Sequence, residues 1–223
     1  MNNITLITSV IDTPKIPLSY INTRSIYTKE ERFIQTKNTI KTMKENIPNN
    51  KIFVVECSLL SDEESNYFKE NTDYFINLYY VNDVINRIYS ISKSMGEGTM
   101  TIYALKYLFD NKIVFDNLFK ISGRYWLNNF FNYNTFNNNS NVIHYINHDT
   151  NNCLTSLYKI NYDTTKKWYE YLLISENKFK NCIGYESIFA DFMKTVNDHE
   201  KKIVNTAYGV SGYISVDGSL LNV

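Results

Sequence analysis

Three apolar, β-branched runs fall within the first 80 residues: Ile4-Thr5-Leu6-Ile7-Thr8-Ser9-Val10-Ile11, Lys51-Ile52-Phe53-Val54-Val55-Glu56-Cys57 and Asp73-Tyr74-Phe75-Ile76-Asn77-Leu78-Tyr79. They are near-continuous rather than alternating, so each has both faces buried, as a parallel strand does. Between the first two, Thr28 stands three residues before Glu31, a capping-box spacing, and Phe33, Ile40, Met43 and Ile47 then follow on one helical face until Pro48-Asn49-Asn50. Between the second and third, Ser61-Asp62-Glu63-Glu64 opens a short helix with Ser61 as N-cap. Strand and helix alternate, and parallel strands joined by single crossovers need helices on the sheet's faces. The fold class expected is α/β, with a Rossmann-like, mostly parallel central sheet flanked by helices.

The rest of the chain reads less sharply. A loop over 82–94 leads to Gly96-Glu97-Gly98, and the spacing of Met100, Tyr103 and Tyr107 predicts a helix over about 99–109. A fourth strand, Leu118-Phe119-Lys120-Ile121, breaks into Ser122-Gly123-Arg124-Tyr125-Trp126. The Asn-rich stretch 129–141 reads as a surface loop. Two further strands are expected over 142–146 and 153–160, then a helix capped by Asp163 and another over 186–196. The tail from 203 to 223, with Gly209, Gly212 and Gly218, has no helix signal. No repeat and no linker is visible, which gives one domain over 1–223.

Composition narrows the classes. Lys plus Arg and Asp plus Glu both number 23, and the zero net charge argues against a nucleic-acid partner. No apolar run is long enough to span a membrane, and Met1-Asn2-Asn3-Ile4 has no signal-peptide character. Cys57, Cys153 and Cys182 are odd in number and far apart, so they read as free thiols in a cytoplasmic protein. No nucleophile elbow, dinucleotide-binding fingerprint or P-loop occurs.

Ligands of open parallel sheets bind at the carboxyl ends of the strands. Three features lie at such ends or in the loops beyond: Thr8-Ser9-Val10 with Arg24 after it, Lys93-Ser94-Met95-Gly96-Glu97, and Ser122-Gly123-Arg124-Tyr125. Convergence of Arg24, Lys93 and Arg124 would suit a phosphate-bearing ligand, because guanidinium forks match phosphate oxygens. The plain alternative is that each charge is a solvated loop residue.

These same residues carry a resemblance. Thr8-Ser9-Val10, Glu31-Arg32-Phe33, Gln35-Thr36, Ile47-Pro48-Asn49-Asn50-Lys51-Ile52, Lys93-Ser94-Met95-Gly96-Glu97 and Phe119-Lys120-Ile121-Ser122-Gly123-Arg124-Tyr125-Trp126-Leu127 resemble small glycosyltransferase-like proteins of the GT-A, nucleotide-diphospho-sugar transferase type. Such proteins are common in viruses and in bacteria with surface-glycan genes, and a viral copy would act in the host cytoplasm. The resemblance covers about residues 3 to 130 and implies a nucleotide-binding half of about 1–127 and an acceptor-side half of about 128–223. It implies a UDP- or GDP-linked sugar donor and transfer of the sugar to a glycan or glycoprotein acceptor. Thr8, Ser9, Val10 and Arg24 would then lie near the nucleotide, and Lys93, Gly96, Ser122, Gly123 and Arg124 near the diphosphate and sugar.

The family usually places an Asp-x-Asp at the end of the fourth strand, holding Mn or Mg against the diphosphate. Here Ser122-Gly123-Arg124-Tyr125 stands in that place, and no Asp-x-Asp occurs anywhere. Two accounts stay open: Arg124, with Lys93, replaces the metal as counter-charge to the leaving group, or the protein binds a nucleotide sugar or glycan without catalysis. Glu186, at a helix start after Gly184-Tyr185, is the candidate base, and Glu97 the other carboxylate. His144 and His148 lie on a strand and turn, about 13 Å apart at that rise, which does not make a metal pair. His148, Tyr125 and Tyr185 are candidate sugar contacts.

Overall fold

The computed structural model describes residues 1–223. Its elements run β1 (Asn3–Ser9), α1 (Lys29–Asn46), β2 (Asn50–Glu56), α2 (Asp62–Asn71), β3 (Tyr74–Asn77), α3 (Asn82–Ile88), α4 (Lys93–Asp110), β4 (Asn117–Ser122) and β5 (Tyr125–Leu127). They continue α5 (Tyr133–Phe136), β6 (Asn141–Ile143), β7 (Leu157–Asn161), α6 (Tyr162–Ile174), α7 (Glu176–Lys180), α8 (Tyr185–Thr195), β8 (Lys201–Ile203), β9 (Val210–Tyr213) and β10 (Leu220–Asn222).

Seven strands form the central sheet in the order β3-β2-β1-β4-β7-β6-β8. β1, β2, β3 and β4 pair in parallel; β7 runs against β4 and β6, and β6 and β8 are parallel. The mostly parallel α/β sheet read from the alternation is present. Successive residues of β2 serve opposite sides: Phe53 and Val55 join a core under α4, α6 and α8, while Ile52 and Val54 join one under α1 and α2. That double burial is why the strand sequences are continuous.

The caps predicted at Thr28 and Ser61 form. Thr28 and Ser61 each accept from the backbone amide three residues on, at 3.2 Å, and Glu31 and Glu64 each close the reciprocal bond.

Four local expectations are corrected. The loop expected over 82–94 is helix α3 followed by the start of α4, whose N-cap is Ser92. Gly96 and Gly98 are helical: a Cβ on Gly96 would lie 2.9 Å from the Ile88 carbonyl oxygen, and one on Gly98 2.4 Å from the Phe179 ring. Packing of α4 against α3 and α7 needs bare backbone there and overrides glycine's weak helix propensity. The cap of α6 is Asn161, which accepts from the Thr164 amide at 2.8 Å; Asp163 lies inside the first turn. Within 129–141, α5 buries Phe136 beside Phe119 and Tyr208. The strands expected over 142–146 and 153–160 shorten to β6 and β7, with a 3-10 turn at Ile146–His148 between them.

β5 does not extend β4. After Gly123 and Arg124 the chain enters a second sheet, β10-β9-β5, in which the tail pairs antiparallel with residues 125 to 127. This sheet delivers Ile214, Ser215 and Val216 to the carboxyl end of the main sheet. No helix is long and apolar enough to cross a membrane.

Candidate functional site

Register aligns the carboxyl ends of the three central strands: Ser9 is opposite Glu56, and Thr8 opposite Ser122. A cleft opens there, offering about 150 Å³ to the centres of water-sized molecules. Its floor is Thr8, Ser9, Val10 and Ser122; α4 adds Lys93, Gly96 and Glu97, and the loop after β1 adds Arg24. Arg124 from the β4–β5 turn and Arg32 from α1 complete it. Nine residues singled out from sequence therefore meet in one cleft: Thr8, Ser9, Val10, Arg24, Lys93, Gly96, Glu97, Ser122 and Arg124.

Four cations face this space, and none of the structure's ion pairs includes Arg24, Arg32, Lys93 or Arg124. Arg32 and Arg124 are each only 8% exposed. Arg32 is aimed by neutral oxygens: its Nε donates to the Val10 carbonyl at 2.8 Å and its Nη1 to Ser215 Oγ at 3.0 Å. Burial, and next the positive charge of Arg124, push its guanidinium down to about 9, so it stays cationic at neutral pH. Arg124 donates one Nη1 bond to the Tyr213 carbonyl at 3.2 Å and lies 5.0 Å over the Tyr125 ring, leaving its other donors without protein acceptors. A buried cation lacking a carboxylate is unfavourable unless an anion supplies the missing charge.

Arg24 differs. Its guanidinium donates to the carbonyls of Ile16, Ile88, Tyr89 and Ser90. It ties the loop after β1 to the carboxyl end of α3, where exposed carbonyls favour a cation.

Two carboxylates underlie the cleft. Lys120, fully buried in β4, forms an ion pair with Glu97, and Ser122 Oγ donates to the same Glu97 oxygen at 3.3 Å. Burial pushes the Glu97 carboxyl up, but Lys120, then Lys93 and Arg124, outweigh it and hold the group below the ordinary carboxylate value. Burial pushes Lys120 down against the pull of Glu97. Glu56 accepts from the Ile11 and Cys57 amides at 3.1 and 3.0 Å and from Ser58 Oγ at 2.5 Å, all at Oε1. Its Oε2 has no partner, and burial raises its pKa.

The donor set does not fit the divalent cation that the sequence resemblance implies. No three acidic, histidine or cysteine side chains group together. Of the two carboxylates, Glu97 is matched by Lys120, and Glu56 is buried and held by backbone amides.

The remaining predicted residues lie around this cleft. Gly123 is pressed against Ser9 and Thr36: a Cβ there would come 2.8 Å from Thr36 Oγ1, which donates to the Gly123 carbonyl at 3.0 Å. Tyr125 is buried against Gly212 in the second sheet. Tyr185 and Glu186 line a neighbouring cavity that shares Tyr20, Lys93 and Glu97 with the cleft. His148 sits apart, on an exposed turn at φ 60°. Sequence reasoning passed over Arg32, Lys120 and Glu56; a lysine between Phe119 and Ile121 in a buried strand was the available signal for Lys120.

No family model and no curated protein matches the sequence. Among solved structures, the chain is similar to the CTP:phosphocholine cytidylyltransferase from Streptococcus pneumoniae, with a TM-score of 0.50, 12% identity, and 97% of this chain and 95% of that one covered. It is similar to the nucleoside-diphosphate-sugar pyrophosphorylase from Vibrio cholerae RC9, with a TM-score of 0.50, 8% identity, and 93% of each chain covered. A glycosyltransferase from Streptococcus pneumoniae TIGR4 overlaps at a TM-score of 0.46 and 10% identity, over 92% of this chain and 45% of that one, a likeness too weak to weigh. At such identities the likeness concerns the fold alone, a mostly parallel α/β sheet flanked by helices.

Proposed function

We propose that the cleft binds the diphosphate of a UDP- or GDP-linked sugar and that the protein transfers the sugar to a glycan or glycoprotein acceptor, as a glycosyltransferase of viral or bacterial surface-glycan type. The observation that carries this reading is the pair Arg32 and Arg124, buried, without a carboxylate, and meeting at the carboxyl ends of β1 and β4. In transfer, the bond from the sugar's anomeric carbon to the β-phosphate oxygen breaks, and its electron pair leaves on the diphosphate. Arg124, Arg32 and Lys93 would stabilise that charge. Glu186 would take the proton of the attacking hydroxyl. Thr8, Ser9 and Val10 would lie beside the nucleotide.

The second reading is a nucleotide-sugar-binding module without turnover, favoured by a carboxylate set that does not suit a divalent cation. Thermal shift with UDP- and GDP-sugars, followed by donor hydrolysis with and without Mn, separates the two. A shift together with turnover supports the transferase. A shift with no turnover under either condition supports the module, and no shift with any nucleotide overturns both.

A further inference from the structure

The neighbouring cavity encloses about 250 Å³, room for on the order of ten or more waters and therefore for a monosaccharide-sized ligand. We infer that it is the acceptor pocket and that it takes an uncharged, hydroxyl-rich ring; the word acceptor rests on the transferase reading, whereas the ligand class rests on the cavity alone.

Charge is the first ground. Arg24, Arg32 and Arg124 line only the cleft and have no acidic partners, but the cavity is balanced: Glu97 is paired with Lys120, and Lys93, common to both spaces, shares the wall with Glu186. A charged ligand gains nothing from a balanced wall and loses its hydration. Hydroxyl chemistry is the second ground. Ser19 and Tyr20 line the cavity with exposed hydroxyls, while those of Ser94 and Tyr185 are bonded to Ser92 and to Thr101 and Tyr158. Glu186 Oε1 accepts from Thr155 Oγ1 at 3.2 Å, while its Oε2 takes no side-chain donor and can accept from a ligand hydroxyl. Tyr20 is the third. It is 64% exposed, stands on the wall common to both spaces, and offers an apolar ring face to the C–H side of a sugar. A ring held there borders the cleft across Tyr20, Lys93 and Glu97, where a bound donor would present its sugar.

The cavity carries its own reporter. Cys182 lines it and is half-buried, while Cys57 and Cys153 are buried, with burial pushing both thiols up to about 12. N-ethylmaleimide should therefore modify Cys182 first, and the rate can be followed by intact mass. With a panel of uncharged methyl hexosides and N-acetylhexosaminides, at least one should slow the reaction about tenfold at ten times its Kd, by mass action. Inorganic phosphate and UDP should not slow it. Gly184→Phe would fill the cavity, since Gly184 has negative φ and its nearest obstacle is the end of Glu186, 3.3 Å from a built Cβ. It should abolish protection by the glycoside and leave UDP binding and the melting temperature near wild type. The inference is overturned if no glycoside protects, if only phosphate or another charged ligand protects, or if protection survives in a folded Gly184→Phe protein. Glycoside protection without any nucleotide binding would sink the donor reading and leave this pocket standing.

Discussion

Lys120 on β4 and Glu97 on α4 form an ion pair between the central sheet and the helix that lines the cleft, with the lysine side chain wholly buried. Removing one partner of a buried pair leaves the other uncompensated. Lys120→Met should therefore destabilise the protein by about 3 kcal/mol, and the double variant Lys120→Met/Glu97→Gln should be more stable than the single one. Urea unfolding of the two single variants and the double variant measures this, and additive losses would contradict the pairing.

Gly98 tests the packing of α4. In an open helix, alanine in place of glycine gains about 1 kcal/mol, but here a Cβ would stand 2.4 Å from the Phe179 ring. Gly98→Ala should lose about 1–3 kcal/mol by overpacking, and Phe179→Leu should relieve much of that loss when combined with it. A stabilised Gly98→Ala would show that α7 does not pack on this face.

Lys159 sets a pH dependence. It is buried in β7, donates to the Ser140 carbonyl at 2.7 Å and makes no ion pair, and burial followed by the charge of Lys202 holds it down to about 8. Below that value the group is charged in both states, and the penalty of burying its charge is present in full. Between about 8 and the unfolded value of about 10.4, the unfolded chain binds more protons than the folded one, so stability rises with pH. The melting temperature of the wild type should climb more steeply across this window than that of Lys159→Met. Parallel curves would show that Lys159 does not titrate in it.

The first half of the fold was legible because its signals are local. Thr28 with Glu31 and Ser61 with Glu64 form their caps within four residues, and strands covered on both faces are written as unbroken apolar runs. The start of α4 was not, because Gly96 and Gly98 read as loop unless one knows that Ile88 and Phe179 press against them. The cleft was half legible. Thr8, Arg24, Lys93, Ser122 and Arg124 follow from the rule about strand ends. Arg32 was hidden because it lies beside the apolar stripe of Phe33, Ile40 and Met43, among the buried polar residues Gln35, Thr36 and Thr39, which that stripe does not mark. Its partner Ser215 lies 183 residues away, brought in by a sheet whose pairing the weakly alternating tail does not announce.

The two buried arginines should act on ligand and not on fold. Arg32→Gln and Arg124→Gln each remove a cation that lacks a protein carboxylate, so the unliganded proteins should melt at or above the wild-type temperature. Melting curves without nucleotide check this. A large loss of stability in both variants would mean that the guanidiniums are structural.

Titration calorimetry with UDP and GDP in the presence of EDTA tests the central claim most directly. The cleft should bind at least one of them without a divalent metal, the affinity should fall as salt rises, and Arg124→Gln or Arg32→Gln should weaken binding about tenfold or more, the loss of a charge-assisted bond. Binding that requires Mn, binding unchanged in both folded variants, or no binding of either nucleotide would contradict it.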